Sequence, residues 1–207
     1  GLTTLNGPTS FMVAAGGVDV FMFGGLAGVG ALQKWGTGIL YSGRDSSAYT
    51  QPITVSQGVL ASVVGTAQKA FGDGAITVNP GAYLALANAN NLGAGGATLQ
   101  SDGAALGVLS LGYIGQPPSV TWASSAPMAE GILGLDVVGF STSLNLASVS
   151  PSGRLFLSGG VQSAFAFQPA AYTAATLGAG AGSTYRLGGY GMLAINRGVL
   201  TGANSVQ

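Results

Sequence analysis

Three segments of the chain repeat one another: ITVSQGVLASV from Ile53, ITVNPGAYLAL from Ile76 and ATLQSDGAALGVL from Ala97. Their turn glycines, Gly58, Gly81 and Gly103, lie about 22 residues apart, a period that belongs to solenoids and arrays. A unit this short cannot bury its own apolar face, so successive units must stack and share a core. Each unit reads as a β-branched residue, a polar pair, a glycine and then alternating apolar residues. That pattern describes two short strands joined at a tight turn, with the glycine at positive φ. Gly153 and Gly198 are read as turn glycines of later coils. The expectation is an all-β parallel solenoid of roughly nine coils, about 45 Å long at the usual strand spacing.

Composition narrows the chemistry. The chain has 207 residues with 37 glycines, 47% hydrophobic residues and only 6% charged ones, against about 25% charged in an ordinary soluble domain. High hydrophobicity without net charge excludes the signature of disorder, and irregular glycine spacing excludes collagen. Six Lys or Arg balance six Asp or Glu, so no basic field exists to hold nucleic acid. Cysteine and histidine are both absent. Disulfides, thiolate and imidazole metal sites, histidine bases and Ser-His-Asp triads are thereby excluded.

The long uncharged interval Gly74 to Ser101 carries Pro80 and a period near two, so no membrane-spanning helix is expected there. Alternating runs of about 4 to 7 residues also fall short of the roughly 9 to 11 that a membrane barrel strand needs. The opening GLTTLNGPTS lacks a signal-peptide pattern, and the chain stops in mid-pattern at Gln207. Both ends read as those of a segment of something longer. SFMVAA and VDVFMFGG read as buried strands, and SVVGTAQKAF, Ser62 to Phe71, as a short helical turn. GQPPSVTWASSAPMAEG, with Pro117, Pro118 and Pro127, reads as a loop excursion. Residues 112–147 would then be an irregular coil within a single 1–207 β-helix segment.

The order LQKWGTGILYSG, SAYTQPITVSQGVL, KAFGDGAITVNPGAYLAL resembles the passenger-associated strand repeat of bacterial autotransporters and related giant surface proteins. The motif positions are Leu32, Lys34, Gly36, Gly38, Leu40, Tyr49, Thr50, Thr54, Val55, Gly58 and Leu60, while Gln51 and Pro52 stand where glycines are usual. The resemblance implies a right-handed parallel β-helix for Ala31 to Leu111. It also implies an extracellular or cell-surface setting.

Catalytic chemistry on such a fold needs clustered acids, about 5 to 10 Å apart for a carboxylate pair. Asp19, Asp45, Asp73, Asp102, Glu130 and Asp136 are instead scattered about one to a coil. Stacking could bring Asp73 and Asp102 together, since each precedes a turn glycine; the alternative is that both are solvated turn aspartates. Arg44 and Asp45 read as a surface turn. GLAGVGAL lacks the lysine and threonine of a phosphate loop, and no calcium-binding nonapeptide is present. No catalytic, cofactor-binding or metal-ligating residue is therefore expected.

Trp35, Tyr41, Tyr83 and Trp122 are the candidates for contact with a surface such as a polysaccharide; the alternative is stacking within the solenoid. Thr54, Thr77 and Thr98 could form a ladder, but their flanking residues differ. The function expected is that of an extracellular structural or adhesive segment, without enzymatic activity, forming a stalk, coat or fibre. Neutral charge and open strand edges would let it associate with itself as a homo-oligomer or filament, through end coils and flat faces. The alternative is a module that binds or cleaves polysaccharide.

Overall fold

The computed structural model describes residues 1–14, 20–22, 24–66, 68–160 and 169–207. In chain order the first strands are β1 (Thr3–Leu5), β2 (Thr9–Met12), β3 (Val20–Met22), β4 (Leu26–Gly28), β5 (Leu32–Trp35), β6 (Ile39–Ser42), β7 (Ile53–Val55) and β8 (Val59–Ser62). They are followed by β9 (Ile76–Val78), β10 (Tyr83–Leu86), β11 (Ala97–Ser101), β12 (Val108–Leu111), β13 (Thr121–Ser124), β14 (Gly131–Leu135), β15 (Leu144–Asn145) and β16 (Leu155–Gly159). The last are β17 (Ala170–Tyr172), β18 (Leu177–Gly178), β19 (Thr184–Tyr185), β20 (Leu193–Ile195) and β21 (Ser205–Val206). A single α-helical turn, α1 (Leu146–Val149), interrupts them among the described residues.

Through the middle of the chain, alternate strands join the same sheet, as a solenoid requires. One sheet runs β2-β5-β7-β9-β11-β13 and a second runs β3-β6-β8-β10-β12-β14-β16. Every pairing within both is parallel. The chain forms a β-solenoid of about eight turns, close to the coil number expected from the repeat.

Alternation along each strand sends one set of side chains into the shared core and the other outward. In the seven-stranded sheet Leu40, Leu60, Leu84, Leu109, Leu133 and Leu157 stand in register, one per coil, and all are buried in the main core. In the six-stranded sheet Leu32, Ile53, Ile76 and Ala97 stand in register and belong to the same core.

Coil length varies, and the corners between sheets absorb the variation. The corner is three residues from β5 to β6 (36–38) and from β7 to β8 (56–58), four from β9 to β10 (79–82), then six in each of the next two coils (102–107 and 125–130). Gly58 has φ +65°, and a Cβ there would lie 2.5 Å from the Gly36 carbonyl oxygen, so only glycine fits this tight corner. Gly81, Gly153 and Gly198 also lie at positive φ, as expected. Gly103 does not: the six-residue corner relieves it, and a Cβ there would meet nothing within 4 Å.

Two further expectations are corrected. No helical turn forms among the described residues of Ser62 to Phe71, because Asn91 holds that loop open by donating to the Val64 and Gln68 carbonyls. TWAS is not part of a loop excursion but is strand β13, paired in register with β11. Asp19 and part of VDVFMFGG lie outside the described residues, while Val20–Met22 is strand β3.

Candidate functional site

The residues that carry the sequence motif are built into the scaffold. Lys34 points inward from β5, in the column Phe11, Lys34, Val55, Val78, Leu99 and Trp122, and is 0% exposed. Its ammonium is satisfied by three carbonyl oxygens, of Trp35 (3.0 Å), Gly36 (2.6 Å) and Gln57 (3.0 Å). Burial pushes its pKa down to about 8. Tyr49 is equally buried and donates from its hydroxyl to the Gly30 carbonyl; burial raises its pKa to about 12.

Asp73 and Asp102 do not converge. Asp73 sits in the corner before β9, where it accepts from Lys69 Nζ at 2.8 Å and from the Ala94 amide at 2.7 Å. Asp102 sits in a different corner, between β11 and β12, accepting from the Ala104 and Ala105 amides. Stacking therefore does not pair them. These hydrogen bonds hold both carboxyls below the ordinary carboxylate range, led by the Lys69 side chain for Asp73 and the Ala104 amide for Asp102. Glu130 is buried and accepts from the Ser152 amide at 3.3 Å, and Asp136 is buried against the Ser110 hydroxyl at 2.5 Å. Among the described residues no three metal-ligating side chains gather.

The four candidate aromatics differ in environment. Trp122 projects into the core, and Tyr41 is buried on the outward side of the seven-stranded sheet, in a second apolar cluster with Ile39, Val59, Ala61 and Ala85. Neither is available to a partner's surface. Trp35 is 41% exposed at the end of β5, beside Met12 of β2. Tyr83 is half-buried and meets a partner the repeat does not suggest: Tyr190, whose ring centroid lies 4.7 Å away at an interplanar angle of 53°.

That pair belongs to a groove of about 590 Å³. Its floor is an outward-facing row in register: Tyr83, Val108, Ile132 and Phe156. One wall is made by the two six-residue corners, at Asp102–Leu106 and Ala126–Ala129. The other is a segment that folds back across the sheet, where Gly159 and Gly191 form an antiparallel bridge and Ser158 Oγ accepts from the Tyr190 and Gly191 amides. Gly188 and Gly189, at φ +108° and +122°, allow that reversal, and a Cβ on Gly189 would come within 2.9 Å of the Ile132 side chain. The groove had no signal in the repeat, because it arises where the corners depart from it.

The six-stranded sheet presents a different surface. Its outward row reads Ser10, Gln33, Thr54, Thr77, Thr98 and Thr121 in continuous register. The differing flanks noted in the sequence do not prevent this alignment. Lys34 is the one charged residue in these six strands, and it points inward. No helix among the described residues is long and apolar enough to cross a membrane. No family model, curated protein or solved structure matches the chain.

Proposed function

We propose that this chain is a structural or adhesive solenoid segment of an extracellular or cell-surface protein, and that copies associate side by side through the six-stranded sheet. The observation that carries this reading is the charge-free outward face of that sheet, six strands wide and in register. At about 4.8 Å per strand it extends over roughly 24 Å. Opposed copies of such a face meet without like-charge repulsion and without stranding an unpaired charge. Met12, 80% exposed, and Trp35 beside it supply apolar area at one end of the face. The acids support the same reading: each of the described ones accepts a hydrogen bond from the scaffold, and Asp102 is the one carboxylate that lines the groove. A polysaccharide-cleaving site would need a second acid across from it.

Sedimentation velocity over a concentration series tests this directly. The wild-type chain should associate as concentration rises, and the double variant Thr54→Lys/Thr98→Lys should sediment as a monomer with an unchanged circular-dichroism spectrum. A wild-type chain that stays monomeric throughout, or a variant that associates equally well, contradicts the proposal.

A further inference from the structure

We propose that the groove over the seven-stranded sheet binds an uncharged, chain-like apolar molecule: an alkyl or acyl chain carrying a neutral hydroxyl, ester or amide head. This goes beyond the structural role above and uses a different face of the solenoid.

The shape comes first. The floor row crosses four strands, three spacings of about 4.8 Å, so the groove is roughly 14 Å long and runs along the stacking direction. Its volume of about 590 Å³ lies within the range of roughly 300 to 1,000 Å³ typical of small-molecule sites. Met128 and Tyr190, 62% and 53% exposed, form its lips.

The chemistry selects the ligand class. No lysine or arginine lines the groove, so nothing there compensates a phosphate or carboxylate. Asp102 is the one charged lining residue, and its Oδ1 is already bonded to two amides at 2.8 Å. An anionic head would meet that carboxylate unfavourably.

Several carbonyls of the walls are also committed. Ala105 O accepts from the Asp102 amide, Leu106 O from the Gly81 amide, Pro127 O from Arg154 Nη1 and Ala129 O from Ser124 Oγ. A sugar needs many hydrogen-bonding partners to replace its hydration, and the lining carries polar side chains only at Tyr83, Asp102 and Tyr190. The Tyr83 and Tyr190 hydroxyls bond to one another and between them keep acceptor capacity for one neutral polar head. Leu106, Phe156 and Met128 offer the apolar surface for the rest of the chain, with Val108 and Ile132 closed beneath them.

The test is titration calorimetry with monodecanoylglycerol below its micelle concentration, compared with decanoate, decyltrimethylammonium and maltohexaose. Expected is one saturable site for monodecanoylglycerol, with decanoate at least about tenfold weaker. Ala104→Trp, which fills the groove from an exposed position, and Met128→Lys, which places a charge on its lip, should each weaken binding about tenfold or more. Neither should change the melting temperature.

Several results would overturn the proposal. They are the absence of saturable binding, variants that bind as wild type does, decanoate binding as well as the neutral ligand, and preference for maltohexaose, which would make the groove a glycan site. Loss of self-association in Ala104→Trp would also overturn it, because the groove would then be covered by a second copy.

Discussion

Lys34 is the residue whose position the fold most constrains. It occupies a core column between Phe11 and Val55 because three carbonyls replace the water its ammonium gives up. With a folded-state pKa of about 8 against 10.5 for the free side chain, the unfolded chain holds a proton that the folded one has released. Stability is therefore lower below pH 8 and is gained as pH rises toward 10.5. Tyr49 and Tyr83 act in the opposite sense at higher pH: burial raises both to about 12 from 10, so the unfolded chain ionises first and stability falls above pH 10. Thermal melts should show a maximum near pH 10, and Lys34→Met should flatten the rise between pH 8 and 10 while leaving the fall. A wild-type melting temperature that declines steadily from pH 8 would contradict this assignment. The motif made Lys34 visible in the sequence, but its burial was not legible there, because it depends on carbonyls from two coils.

Glycine positions show the same boundary. Gly58→Ala must force an L-residue into the left-handed region against the Gly36 carbonyl, and should cost about 2 kcal/mol or more. Gly103→Ala, free of contacts and of positive φ, should shift stability by less than about 0.5 kcal/mol. Chemical denaturation of the two variants separates them. The repeat presents both as equivalent pivots, and only the lengths of their corners distinguish them.

At the scale of the element, the repeat reveals the first strand of each coil better than the second. Ile53 and Ile76 pair as the aligned repeats suggest. Aligning the turn glycines Gly58 and Gly81 would place Tyr83 beside Leu60, whereas Tyr83 pairs with Val59 and Leu84 pairs with Leu60. The cause is the one extra corner residue between β9 and β10. Deleting side-chain volume from the leucine column tests how continuous the core is. Leu109→Ala, between Leu84 and Leu133, should cost about 2 to 5 kcal/mol in denaturant unfolding. Asn91→Ala should also be costly. Asn91 accepts from the Ser62 hydroxyl and the Asn88 amide and donates to two carbonyls, so a loss of about 2 to 4 kcal/mol is expected from several net hydrogen bonds. Strand β13 was hidden in the sequence by its flanking prolines. Those prolines fall outside the strand, and Thr121 to Ser124 remains free to extend the sheet.

For the whole molecule, low charge and the repeat together foretold an all-β stack. Composition could not foretell how the two sheets would divide their surfaces. One presents a neutral row of hydroxyls and amides from Ser10 to Thr121; the other carries apolar side chains outward, partly buried in a second cluster and partly lining the groove. A register error of one residue would turn each strand's outward side chains into the core, which is why the threonine row and the Tyr83–Tyr190 pair were not legible in the sequence. Lateral association through the neutral face is the central claim at this scale. Electron microscopy of native, detergent-free material at rising concentration tests it most directly. Sheets or bundles of short rods aligned side by side are expected, dispersed by Thr54→Lys/Thr98→Lys. Isolated rods at every concentration would contradict it.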